Sequence, residues 1–164
     1  MCILDKEVLI NMSNPDILVE EANRKLTRFS FSNLFDKTSR YEEVMPLYEK
    51  AGNIYKMAKK FDEAAQAYLK AADCSMKLGE VKEEATYYIS AYNCYKKSNM
   101  PKAIECINKA IDIYNNECEY LQVVKYKREL AECYEYDGDY SNSLSCYLTC
   151  MNILEVEVNR LHYG

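Results

Sequence analysis

At 164 residues, with 4 glycines, 3 prolines and almost no β-branched alternation, the chain is long enough for one domain with a continuous core, and nothing in it argues for a sheet. Its net charge of −5 argues against nucleic-acid binding by the chain as a whole. The 8 cysteines form no CxxC pair and the single histidine, His162, stands near the end, so no metal, cofactor or disulfide is expected. The cysteines read instead as free thiols packed like small hydrophobes in a reducing compartment.

In chain order, residues 1–14 read as a tail. Its MCILDKEVLINM carries Asp5, Lys6 and Glu7, so no apolar signal-peptide region forms, and no later run approaches the ~20 apolar residues of a membrane span. The expected location is cytoplasmic. Residues 15–164 read as one domain of helical repeats. Asn14-Pro15-Asp16 is a start signal for a helix over 15–29. A break covers 30–38, and helices are predicted over 39–59, 61–77, 81–97, 100–115, 119–136 and 140–157. Pro46 and Pro101 are placed near helix starts, where a missing N–H is tolerated. Lys77-Leu78-Gly79, Ser98-Asn99 and Tyr136-Asp137-Gly138-Asp139 are the turn signals, with Gly79 and Gly138 as left-handed stops.

Five positions recur three times at a spacing of 39 to 40 residues. The copies are Gly52, Tyr55, Ala64, Tyr68, Ala71; then Ala91, Cys94, Ala103, Ile107, Ala110; then Ala131, Tyr134, Ser143, Tyr147, Cys150. Three places hold small residues and two hold mostly bulky ones, the pattern of tetratricopeptide helical hairpins, whose usual period is about 34 residues. Antiparallel helices approach closely only where side chains are small, and rings beside those contacts fill the groove. The fold expected is all-α, a right-handed stack of antiparallel helical hairpins.

The break reads Arg28-Phe29-Ser30-Phe31-Ser32-Asn33-Leu34-Phe35-Asp36, three of the chain's 4 phenylalanines among residues suited to turns. Two readings stand. The rings form a satellite cluster under the first helix, or Phe29, Phe31, Leu34 and Phe35 form a membrane-touching loop. Arg24, Lys25, Arg28, Lys37 and Arg40 flank the loop, and basic residues near an anionic leaflet contribute about 1 kcal/mol each. A buried Phe or Leu contributes roughly 1.5–3 kcal/mol, so such a loop attaches reversibly and does not anchor.

From Glu21 to about Tyr114 the chain resembles the soluble NSF attachment proteins, the SNAP family. The resemblance is carried by EANRKL (Glu21–Leu26), FSNLF with SRYEEV (Phe31–Val44), AGNIYKMAKKFDEAAQAYLKAA (Ala51–Ala72), AYNCYKKSNMPKAIECINKAIDIY (Ala91–Tyr114) and AECYEYDGDY. The aromatic segment ahead of IYKMAKK, with CYKKSNMPKAI one repeat later, is its most specific part. It covers the chain from about residue 19 and weakens after about 135.

The resemblance implies a non-enzymatic adaptor that lies against the four-helix bundle of a SNARE complex, touches the membrane through the loop at Phe29–Phe35, and recruits the ATPase NSF. Where the family has adjacent phenylalanines, this chain has Ser30-Phe31, with Phe29 one place earlier. Family members engage the ATPase through a C-terminal acidic and leucine-bearing segment, which Asn159–Gly164 does not match. The matching basic positions on the SNARE-facing surface are Lys56 and Lys59, Lys96 and Lys97, and Lys125. A second explanation stands beside that role for all but Lys125: lysines at helix C-termini meet the negative end of the helix dipole. Two other classes remain open. A generic tetratricopeptide-like scaffold gripping a peptide fits the repeats but has no use for the aromatic loop. An enzyme finds no phosphate loop, nucleophile motif or metal cluster to work with.

Overall fold

The computed structural model describes residues 14–27 and 34–163. Among the described residues seven helices run in chain order: α1 (Pro15–Thr27), α2 (Leu34–Met57), α3 (Phe61–Leu78), α4 (Val81–Tyr95), α5 (Met100–Asn116), α6 (Tyr120–Tyr136) and α7 (Tyr140–Tyr163). Turns of two to four residues join α2 through α7, and the main packing contacts all run between helices consecutive in sequence. Connections that short make each helix antiparallel to the next. Hence α2, α4 and α6 run one way and α3, α5 and α7 the other. One edge of the stack carries the turns after α2, α4 and α6, and the opposite edge carries the turns after α3 and α5.

Four of these turns share one backbone device. A residue with positive φ (Lys59 60°, Gly79 75°, Cys118 57°, Gly138 78°) ends the helix. Its N–H reaches the carbonyl three residues back, and the next N–H reaches five back: Lys60 to Tyr55 at 2.9 Å, Glu80 to Ser75 at 2.9 Å, Glu119 to Tyr114 at 2.8 Å, Asp139 to Tyr134 at 2.8 Å. This paired bonding satisfies helix-end carbonyls and reverses the chain. Gly79 and Gly138 are the stops read in the sequence; Lys59 and Cys118 are unmarked by residue type. The turn after α4 is different, with Asn99 capping α5 through its side chain to the Lys102 N–H at 3.1 Å.

Two boundaries and the place of one proline depart from expectation. α2 starts at Leu34, not 39, because Ser32 and Asn33 are residue types that precede helices as readily as they fill turns, and Asp36 suits a first turn. Pro46 therefore lies inside α2 rather than near its start. It removes one helical bond, on an exposed face where water can reach the freed carbonyl. α7 runs on to Tyr163, past the expected 157, with a Glu157–Arg160 pair at 3.5 Å along the added turns.

The repeat positions are the core. All fifteen are buried except Tyr134 and Tyr147, which are half-buried, and Ala64, Ala71, Ala91, Ala103, Ala110 and Ala131 are wholly inaccessible. Gly52 shows how tight the crossings are, since a Cβ there would lie 2.9 Å from Cε1 of Tyr68. Buried tyrosines then tie helices together through their hydroxyls. Tyr48 (α2) donates to Asn23 (α1) at 2.7 Å, Tyr68 (α3) to Asn53 (α2) at 2.7 Å, and Tyr87 (α4) to Glu49 (α2) at 3.0 Å. Tyr92 (α4) meets the Cys133 thiol (α6) at 3.6 Å. The last two contacts join successive repeats. Among the described cysteines all are free thiols, six buried and Cys118 exposed.

Two outcomes follow. Gly52→Ala, Ala64→Leu and Ala103→Leu should each cost roughly 1–3 kcal/mol by overpacking a crossing, read as a lower urea midpoint; three unchanged midpoints would refute the repeat assignment. The second concerns alkali. Burial raises the thiols of Cys74 and Cys106 from 9.0 to about 11, and the hydroxyls of Tyr48 and Tyr68 from 10.0 to about 12. The unfolded chain therefore ionises first, and the stability these groups contribute is complete below about pH 9 and lost between about pH 9 and 12. Urea midpoints should fall steeply across that window; a midpoint constant to pH 12 would contradict the burial.

Candidate functional site

Four of the five candidate lysines come together on the edge that carries the turns after α2 and α4. Lys56 lies in the last turn of α2, Lys59 sits in the turn that follows, Lys96 caps α4, and Lys97 follows it; all four are exposed. The two turns are neighbours in space. Burial raises the Cys94 thiol, and the charges of Lys56 and Lys97 both act on it in the opposite sense. Ser98 Oγ donates to Asp62 Oδ1 at 3.0 Å across the same gap, and Lys97 Nζ lies 4.8 Å from the Phe61 ring centroid. Lys96 covers Tyr92 at 5.5 Å, and Lys60, also on this edge, covers Tyr55 at 5.9 Å. Rings under the ammonium groups hold the lysine stems flat against the stack and leave the charges at the surface. Asp16, which accepts the Tyr55 hydroxyl bond, and Asp62 and Glu63 share this edge, so it is a predominantly basic surface with acidic residues among the lysines.

The helix-dipole explanation still stands beside a partner role: Lys56 occupies the last turn of α2, Lys96 is the C-cap of α4, and Lys59 and Lys97 stand just past the helix ends, next to the last carbonyls. Lys59 also holds a left-handed backbone (φ 60°) that glycine adopts at lower cost.

Lys125 is not part of this group. It lies in the first half of α6, about 16 Å along the axis from the helix's C-terminal end, with its ammonium 4.7 Å from the Tyr126 ring centroid and 3.3 Å from the Tyr126 hydroxyl. The turn of the third repeat that matches the lysine turns carries Glu135, Asp137 and Asp139 instead, so the edge changes sign there.

Of the expected membrane-loop residues, Phe29 and Phe31 lie outside the described residues. Leu34 and Phe35 belong to the first turn of α2, a correction to their reading as loop. The start of α2 is on the edge opposite the lysines, about 33 Å from Lys56 along the helix. Among the described residues no helix is long and apolar enough to cross a membrane, and no cluster of His, Cys, Asp or Glu could hold a metal ion. Sequence reasoning also passed over the outer face of α7, where Leu144, Leu148, Met151, Leu154, Val158 and Leu161 recur at three- and four-residue intervals and stand exposed. That spacing was readable by helical periodicity alone.

The stack and its basic edge can be set beside known proteins. The solved structures of BtubC from P. vanneervenii (TM-score 0.58, 14% identity, 87% of this chain and 72% of that one) and of MamA (TM-score 0.53, 16% identity, 94% of this chain and 86% of that one) share the fold. At that identity the likeness speaks for the tetratricopeptide-like helical solenoid alone. The alpha-soluble NSF attachment protein of Dictyostelium discoideum is 48% identical over 130 residues, 79% of this chain and 45% of that protein. Its human counterpart is 35% identical over 120 residues, 72% of this chain and 41% of that protein. The chain thus spans less than half the length of these relatives. The family model described as soluble NSF attachment protein, SNAP, matches residues 13–160, and the chain belongs to that family.

Proposed function

We propose that this chain is an adaptor that binds SNARE complexes at membranes for disassembly by an NSF-type ATPase in vesicle fusion and intracellular transport, with no chemistry of its own. The observation that carries the reading is the gathering of Lys56, Lys59, Lys96 and Lys97 on one exposed edge in a chain of this family. An acidic helical bundle meeting that edge is steered and oriented by complementary charge more than it is tightened by it. Lys125 offers a second contact partway along the stack, which suits a rod lying across the helices and not a compact partner held at one end. The aromatic segment around Phe29, Phe31, Leu34 and Phe35 rests against the cytoplasmic face of a membrane, and α2 then sets the lysine edge about 33 Å from it. Contact with the ATPase runs through parts of the relatives that this chain does not span.

Lys56→Glu with Lys96→Glu should weaken binding of an assembled SNARE bundle roughly tenfold, at about 0.5–1 kcal/mol per exposed charge, and wild-type binding should fade as salt rises. Unchanged, salt-independent binding would leave the lysines as helix-end charges. Lys59→Gly is more discriminating because its two effects have opposite signs. It should raise stability by about 0.5–1 kcal/mol by relieving the left-handed backbone, while lowering bundle affinity; a gain in both would remove Lys59 from the surface.

For the loop, isolated protein should bind liposomes feebly, and much more strongly when SNAREs sit in the same membrane, because tethering makes the second contact intramolecular. Phe31→Ser with Phe35→Ser should abolish that enhancement and leave thermal stability and binding to detergent-solubilised SNAREs intact. A markedly lower melting temperature would instead assign the rings to the core.

A further inference from the structure

Ser98 lies within the basic edge, in the turn between α4 and α5, and the proposed adaptor role makes no use of it. The residue is exposed, and its Oγ donates at the surface to Asp62 Oδ1 at 3.0 Å. It is the one serine or threonine of the chain that directly follows two lysines, Lys96 and Lys97. Its turn also lacks the left-handed residue that closes the other four, and Asn99 after it is extended (φ −150°, ψ 91°). An exposed hydroxyl on such a turn is within reach of another enzyme's cleft.

We propose that Ser98 is a phosphorylation site for a basophilic serine/threonine kinase, and that phosphoserine there switches the basic edge off. This rests on the adaptor reading for the identity of the bundle, and on the edge's own charge for the rest. In the transfer, Ser98 Oγ bonds to the γ-phosphorus of ATP and the bond from that phosphorus to the β–γ bridging oxygen breaks. ADP leaves, and the hydroxyl proton passes to the kinase's catalytic carboxylate. Around the two turns stand Lys56, Lys59, Lys60, Lys96, Lys97 and Lys102, against Asp16, Asp62 and Glu63, with Glu20 and Glu105 one helical turn further in. A phosphate carries about −1.5 to −2 at neutral pH, so it removes at least half of that positive surplus. The position tolerates the new charge. Ser98 directly precedes Asn99, the N-cap of α5, whose positive helix end favours an anion, and Lys97 and Lys102 lie beside it. Asp62 is the one loser, since the esterified oxygen no longer donates to it and a like charge takes its place. Both effects weaken the edge for an acidic partner.

Kinase labelling of the whole 164-residue chain tests this. With ATP and a panel of kinases that read lysine or arginine before the hydroxyl, mass spectrometry should find phosphate on Ser98 of the folded protein. The phosphorylated chain, its far-UV circular dichroism unchanged, should bind an assembled SNARE bundle about tenfold more weakly at low salt, and the gap should narrow as salt rises. Ser98→Ala carried through the same kinase treatment should bind like the untreated wild type, since it loses the Asp62 bond but gains no charge. Poly-glutamate, which carries no SNARE feature, is titrated in parallel and should also be held less tightly after phosphorylation. A wild type that holds poly-glutamate but not the bundle would refute the adaptor reading and leave the switch standing. Ser98 unlabelled by every kinase, or a phosphorylated chain binding both probes as tightly as before, would overturn the switch. Equal loss in the treated Ser98→Ala chain would overturn it too, by assigning the effect to the Asp62 bond or to another residue.

Discussion

The structure depends on how closely consecutive helices approach at their crossings. At Gly52 there is no room for even one methyl group beside the Tyr68 ring, and the equivalent places along the chain, Ala91 and Ala131, have no accessible surface. Small contacts bring the backbones together, and large rings beside them fill what would otherwise be voids. A phenylalanine would fill such space equally well. Tyrosine adds a hydroxyl that reaches a neighbouring helix, so Tyr87 and Tyr92 bind α4 to both flanking repeats, to Glu49 on one side and Cys133 on the other. Packing and hydrogen bonding thus fix the same register, the agreement between levels that a unique fold requires.

The basic edge follows from that register. Strict alternation of helix direction puts the ends of α2, α4 and α6 on one edge, so lysines about 40 residues apart in sequence become neighbours. The same alternation separates residues the sequence had grouped. Lys125 lies well inside α6, and the matching turn of the third repeat is acidic. The basic surface therefore spans two repeats and not three. The start of α2, where the aromatic segment enters, is placed on the far edge by the same rule.

Much of this was legible in the sequence, and the failures have physical causes. The recurring small positions marked the crossings because steric exclusion allows few residue types there. Gly79 and Gly138 marked turns because their backbone is left-handed. Lys59 and Cys118 hold the same conformation and went unread, since the paired helix-end hydrogen bonds impose it on residues that give no sign of it. The start of α2 was misplaced because serine and asparagine serve both turns and helix caps. Pro46 was misread for the same reason, its distance from the helix start depending on that boundary. The lysines' chemistry was visible early, but which of them share an edge is a matter of axial position within each helix, and helix ends are what sequence reading resolves least well.

If two repeats really present one basic edge to a rod of several helices, the edge should recognise the assembled rod and not its parts. Titrating this chain with a complete SNARE four-helix bundle and with each separate strand, at one fixed ionic strength, measures that directly. Clear saturable binding to the bundle, and none of comparable affinity to any single strand, is the predicted result. Equal affinity for one isolated strand would contradict it, and would make the stack a peptide-gripping scaffold whose lysines answer to local charge alone.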